Sequence, residues 1–328
     1  MPLRNPLIRY GIAEWYGRSL TTLSPTERQE FGLHTQRSFE NLNDNPYCPF
    51  LSELIPSAVC NKAGGVCSFR RYRQDRAGAV VVADDVVVTL CPSRFLQPLA
   101  DGQRLFGAIA QQMLGCASPI VVKETPFLRK VQDELSGEGD EDSVRKAGRI
   151  DWLLIDPSSL NQPELQWCAV ETQSLYFSGK AMSHDFAAYA EGAEQVIFPR
   201  GVRRPDYRSS GPKRLLPQLA VKVPVLRNWG KKMVVVIDRY FADNMNGLGD
   251  AFPRAKDDTE RRDNAEVVWF IVAYDARMRL TLNRVVFSTL DDSRRALNAT
   301  EPFSKADFTR ELRAAIADPG RGYKVFTV

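Results

Sequence analysis

Two apolar runs joined by a polar connection constrain this chain most. The first reads Gly148-Arg149-Ile150-Asp151-Trp152-Leu153-Leu154-Ile155-Asp156-Pro157, and the second reads Leu165-Gln166-Trp167-Cys168-Ala169-Val170-Glu171-Thr172-Gln173. Short apolar runs bounded by Pro, Ser and Asn predict an antiparallel strand pair. Side chains alternate across a strand, so Glu171 and Gln173 share a face with Leu165, Trp167 and Ala169. A carboxylate and an amide at the end of an apolar face are costly unless something polar meets them. Asp151 on the neighbouring strand supplies a second carboxylate, and a divalent cation between the two would make a site for metal-assisted hydrolysis.

Other segments give the pair its surroundings. Lys232-Met233-Val234-Val235-Val236-Ile237-Asp238 is apolar almost throughout, as in a strand buried on both faces. Asn264–Asp275 and Arg279–Ser288 read as a further strand pair, and Ile120–Pro126 as a short strand ending near Glu124. Leu105, Phe106, Ile109, Ala110, Met113 and Leu114 fall at helical spacing before Gly115, and Lys305–Asp318 reads as a helix. Ser183–Val196 reads as a loop or helix, Leu215–Trp229 as a helix interrupted by Pro217 and Pro224, and 136–148 as an exposed acidic loop. Upstream, Ser24-Pro25-Thr26-Glu27 is a helix start, with an N-cap, a first-turn proline and an acidic residue. The preceding Ile12–Gly17 reads as a short apolar helix ending at glycine. The expected class is α/β, a mixed sheet flanked by helices. Its parts are a helical arm (1–45), a cysteine-bearing module (46–95) and a catalytic domain (96–328).

The module takes its character from cysteine. Four of the six cysteines, Cys48, Cys60, Cys67 and Cys91, lie beside Pro, Gly or short polar residues. Glycines beside a thiolate permit tight turns and N–H···S contacts, and a four-sulfur site suits zinc or iron. The spacing is not that of a zinc ribbon, and buried small hydrophobes are the alternative. The chain has no apolar run long enough for a membrane span. Prolines near the N-terminus argue against a secretory signal, so a cytoplasmic protein is expected. There the cysteines are expected to be free of disulfides.

A net charge of +4 over 328 residues announces no polyanion partner, so a nucleic-acid reading rests on local patches. Arg70, Arg71 and Arg73 form one. Phe198–Arg214 forms another, with Arg200, Arg203 and Arg204 among its cations, and reads as a flexible basic loop suited to phosphate contacts or simply to solvent.

Asp151…Glu171-Thr172-Gln173 fits the PD-(D/E)xK nuclease pattern, with glutamine where lysine usually stands. Alone this is weak. Together with the cysteine phrases, with Lys213-Arg214-Leu215-Leu216-Pro217-Gln218-Leu219 and with Trp229-Gly230-Lys231-Lys232, the chain resembles the NotI restriction endonuclease family from about Ala13 to about Phe241.

The resemblance implies a PD-(D/E)xK core with a small four-cysteine domain, and a homodimer that cuts both strands of a GC-rich palindrome. Mg²⁺ would sit at Asp151 and Glu171, Gln173 would orient the attacking water, and Glu124 is a looser match. Cys48, Cys60, Cys67 and Cys91 match a site carrying structural iron, with zinc as the chemical alternative. A cognate DNA methyltransferase is the expected companion. Arg70, Arg71, Arg73, Arg200, Arg203 and Arg204 are candidate DNA contacts. A non-catalytic zinc-bearing DNA-binding protein is the competing reading, favoured by the missing lysine. A metabolic hydrolase with a structural metal is a third.

Overall fold

A computed structural model describes residues 7–127, 148–298 and 303–318. Apart from Gly148, the acidic stretch expected as a loop lies outside them.

The N-terminal part forms a four-stranded antiparallel sheet in the order β2-β1-β3-β4. Its strands are β1 (Ile8–Trp15), β2 (Arg18–Ser19), β3 (Val66–Gln74) and β4 (Val80–Thr89). The helix expected over Ile12–Gly17 is therefore a strand and a turn. Trp15 pairs with Arg18 across Tyr16-Gly17, whose φ values of 45° and 78° are those of a two-residue hairpin turn. Six residues cannot separate helix from strand by periodicity, and pairing with β3 decides the matter. Helix α1 (Pro25–Ser38) starts where expected: Ser24 Oγ accepts from Glu27 N, and the Glu27 carboxylate accepts from Ser24 N.

Helix α2 (Leu105–Leu114) ends at Gly115 in the left-handed conformation. The strands β5 (Ile120–Pro126), β6 (Arg149–Ile155) and β7 (Trp167–Thr172) follow. A ribbon of β8 (Tyr176–Gly179) and β9 (Arg203–Asp206) flanks helix α3 (Ser183–Ala190). The basic stretch expected as a flexible loop is thus a paired strand followed by helical turns. These lead into α4 (Leu216–Asn228), in which Pro217 takes the first turn and Pro224 is accommodated inside.

The chain then adds β10 (Met233–Asp238), β11 (Val267–Tyr274) and β12 (Leu280–Ser288), with α5 (Leu290–Leu297) and α6 (Lys305–Ala317) at the end. The main sheet runs β12-β11-β10-β7-β6-β5. β7, β10 and β11 are parallel, and the rest pair antiparallel.

Alternation builds the two cores on either side of this sheet. Val234, Val236, Val268 and Phe270 face α2 and the N-terminal sheet. Val235, Ile237, Trp269 and Ile271 face Leu219, Val223 and Leu226 of α4. Both faces are covered, which is why β10 reads as a continuous apolar run. The core on the first side also contains Cys48, Cys60, Cys67, Phe95 and Trp152, so the cysteine-bearing segment and the main sheet share it.

Candidate functional site

β6 and β7 form the expected antiparallel pair, with Trp152 opposite Val170. This places Asp151 and Glu171 side by side. Asp151 N donates to Glu171 Oε1 at 3.4 Å, and Asp151 Oδ2 accepts from Thr172 N at 3.0 Å and from Thr172 Oγ1 at 3.2 Å. Asp151 is partly exposed, whereas Glu171 is only 2 % exposed. Burial, with the Asp151 charge beside it, pushes the Glu171 carboxyl up to about 7, against the pull of Lys222.

Lys222 was not foreseen. It comes from α4, and its Nζ donates to Glu171 Oε1 at 2.5 Å and to Gln218 Oε1 at 2.9 Å. The pair is enclosed, with side chains 4 % and 3 % exposed. A faint signal existed in the sequence. Leu215, Leu219, Lys222, Val223 and Leu226 share one helical face, and a lysine in an apolar row needs a buried partner.

Asp151 and Thr172 line a cleft of about 300 Å³. Lys123, Glu124 and Trp152 also line it, as do Lys62, Cys91 and Ser93 of the cysteine-bearing segment. Glu124 has φ 53° inside β5, at the one position of the β5–β6 ladder left unpaired, opposite Asp151. That conformation costs a non-glycine residue on the order of 1–3 kcal/mol and is typical of functional positions. Its carboxylate is paired with Lys123 at 2.6 Å and with Arg149 at 3.5 Å, and these cations hold it below the usual carboxylate range.

Gln173 is not among the residues lining this cleft. Its Nε2 donates to Ser174 O at 2.6 Å, and its backbone N–H joins Val236 O. Glu171 does not line the cleft either; Asp151 contacts it and shares the cleft with Glu124, while the Gln173 amide is turned onto the backbone of Ser174.

The four cysteines are free and buried, and they pair off through the backbone. Cys48 N donates to Ala58 O and Cys60 N to Pro46 O, while Leu90 N and Cys91 N both donate to Cys67 O. Leu51 N points at Cys48 Sγ at 3.4 Å. Burial raises the thiols of Cys48, Cys60 and Cys67, Cys60 to about 11, and neighbouring cysteines of the set raise each of them further. Among the described residues, however, no three His, Cys, Asp or Glu side chains stand as a ready-made ligand set, at the cysteines or at the carboxylates. Arg94, also unforeseen, clamps this segment to the core. Its Nε reaches Glu14 Oε2 at 2.7 Å, its Nη2 reaches Met278 O at 2.6 Å, and its guanidinium stacks on Phe50 and Tyr274.

The predicted DNA-contacting arginines separate. Arg200 and Arg204 are exposed, while Arg70, Arg71 and Arg73 are half-buried, with Arg71 paired to Asp84 at 2.7 Å. Arg203 is corrected. It is 5 % exposed, and Asp185 holds it at 2.6 Å because β9 turns this residue inward.

A family model described as "Restriction endonuclease NotI" matches residues 35–282. The chain belongs to this family. The match spans the four cysteines, the β6–β7 pair and Lys222 alike, so the carboxylates stand in the sheet of a restriction endonuclease. No curated protein matches the chain. Among the described residues, no helix is long and apolar enough to cross a membrane.

Proposed function

We propose that this member of the NotI restriction endonuclease family is a Mg²⁺-dependent type II enzyme that cuts both strands of DNA at the cleft between β6 and the four-cysteine segment. The observation that carries the reading is that Asp151, which lines the cleft with Glu124, contacts the buried Glu171. Two carboxylates crowded together, one of them buried, are a donor set that favours a hard divalent cation. Asp151 and Glu171 would hold it, with Glu124 in reach of the same cleft. Bound there, Mg²⁺ would supply an acidified water and neutralise charge developing on the phosphate.

The chain's own groups do the rest. Thr172 fixes Asp151 through two hydrogen bonds, and Lys222 compensates the buried Glu171 charge. Lys62 and Lys123 bring positive charge to the cleft, where a phosphodiester would lie. Gln173 orients a water only if its amide leaves Ser174 O.

Cys48, Cys60, Cys67 and Cys91 suit a structural iron, or zinc, by their chemistry: four free thiols, buried together, one of them already facing a backbone N–H. We propose an arm (1–45) whose strand β1 pairs with β3 of a metal module (46–95), and a PD-(D/E)xK domain (96–328). We also carry forward a homodimer on a GC-rich palindrome, with a companion methyltransferase.

Digestion of sequenced DNA, with the fragment ends read, tests this. Discrete fragments that require Mg²⁺ are expected, and Asp151→Asn should bind the same DNA without cutting it. A zinc-bearing DNA-binding protein without catalysis is the second reading, favoured by the turned-away Gln173 amide. It predicts a gel shift with no fragments in any metal, and that result would defeat the enzyme.

A further inference from the structure

The β8–β9 ribbon starts three residues after Gln173. Tyr176 pairs with Asp206, Phe177 with Pro205, Ser178 with Arg204, and Gly179 with Arg203. Alternation sorts these into two faces. The inner face is anchored: Phe177 packs edge-on against Phe69 at 4.9 Å and Tyr10 at 5.1 Å, and Arg203 is locked by Asp185. Gly179 fixes the end of the pairing. Its φ is 118°, and a Cβ there would lie 2.3 Å from Val202 O. The outer face is therefore presented on a rigid support.

That outer face is polar and exposed, and its acid, Asp206, is bound to Ser209 N and Oγ. Tyr176, Ser178 and Arg204 are exposed on it, with Lys180 just beyond. Several exposed arginines sit on acids, as Arg18 does on Glu27, Arg239 on Asp243 and Arg295 on Asp292. The Arg204 and Lys180 side chains have no ion pair or hydrogen bond among the described residues. Arg214 lies over the Tyr176 ring at 3.8 Å and bonds its hydroxyl, which stiffens the same face. Lys62 lines both the cleft of Asp151 and a cavity of about 330 Å³ bordered by Tyr176, Ser178 and Lys180, so one side chain links β8 to the cleft.

We propose that the β8–β9 ribbon enters the major groove of the DNA and reads sequence there, with Arg204 contacting a guanine edge and Ser178 a neighbouring base. The major groove admits a two-stranded ribbon, and an unpaired guanidinium matches guanine O6 and N7 in a bidentate fashion. Lys180, beyond the paired segment, meets the phosphate backbone. This deepens the endonuclease reading and rests on it.

The test uses full-length protein in the Asp151→Asn background, so that binding is read without cutting, on duplexes carrying every single-base change in the site mapped by digestion. Arg204→Ala should lose discrimination at one base pair of each half-site, by roughly 5- to 150-fold, and keep it elsewhere. Its melting temperature should match the parent's, since no partner is lost. Lys180→Ala should weaken binding to all duplexes alike and reduce the salt slope by about one. Arg204→Ala binding that is unchanged, or uniformly weaker at every position, overturns the ribbon's role while the endonuclease reading stands. A parent that neither cuts nor binds DNA overturns both.

Discussion

Lys222→Met puts the buried ion pair to a quantitative test. Nζ and Oε1 are 2.5 Å apart and both side chains are almost fully enclosed. At an effective dielectric constant of about 20, two unit charges at that separation attract by about 7 kcal/mol, most of which offsets the cost of burying them. Removing only the lysine leaves Glu171 buried without a cation, so in metal-free buffer well above pH 7, where the carboxyl is charged, the variant should lose about 3–5 kcal/mol. At roughly 2 °C per kcal/mol for a chain of this size, the melting temperature should fall by about 6–10 °C. Adding Glu171→Gln removes the stranded charge, so the double variant should recover much of the loss. A coupling energy of about 2 kcal/mol or more is expected in the cycle. Urea unfolding of wild type, both single variants and the double variant measures it. Cleavage by Lys222→Met should fall about 100-fold or more, the scale of losing one preorganised electrostatic group. A single-variant cost below about 1 kcal/mol, or strict additivity, would refute the argument that the pair is enclosed and coupled.

Two further outcomes follow from the same geometry. Because burial and Asp151 raise the Glu171 carboxyl to about 7, a cation must displace its proton below that pH. Mg²⁺ affinity measured by calorimetry should therefore strengthen as pH rises through about 7, by up to about tenfold per unit on the acid side. Glu171→Gln should flatten that dependence, and a flat wild-type profile would remove Glu171 from the site. For the cysteines, elemental analysis should find iron or zinc in wild type and far less in Cys60→Ser. The stability loss should be on the order of 10 kcal/mol, as for structural metal sites in small domains, and metal-free wild type with unchanged stability would defeat the proposal.

Much of the fold was legible because local pattern and tertiary demand agree. Ser24 and Glu27 make a capping box wherever a helix follows. β10 must be covered on both faces, because nothing in Met233–Ile237 tolerates water. Ile12–Gly17 was misread because six residues carry no decisive period. The hairpin forms because β3 is there to pair with it.

The sequence by itself determined which groups are candidates for chemistry here: two carboxylates on successive strands, four cysteines between residues 48 and 91, and a net charge of only +4, too small to name a partner by electrostatics alone. The side-chain alternation of β7 followed from the same letters. Only the tertiary structure decided which groups meet. Lys222 stands 51 residues from Glu171 and reaches it because α4 packs on the face of the sheet that Glu171 shares. Arg203 and Arg204 are adjacent and alike in composition, yet strand pleating buries one on Asp185 and leaves the other bare. Contacts of this kind depend on packing between distant segments, and no local pattern encodes them.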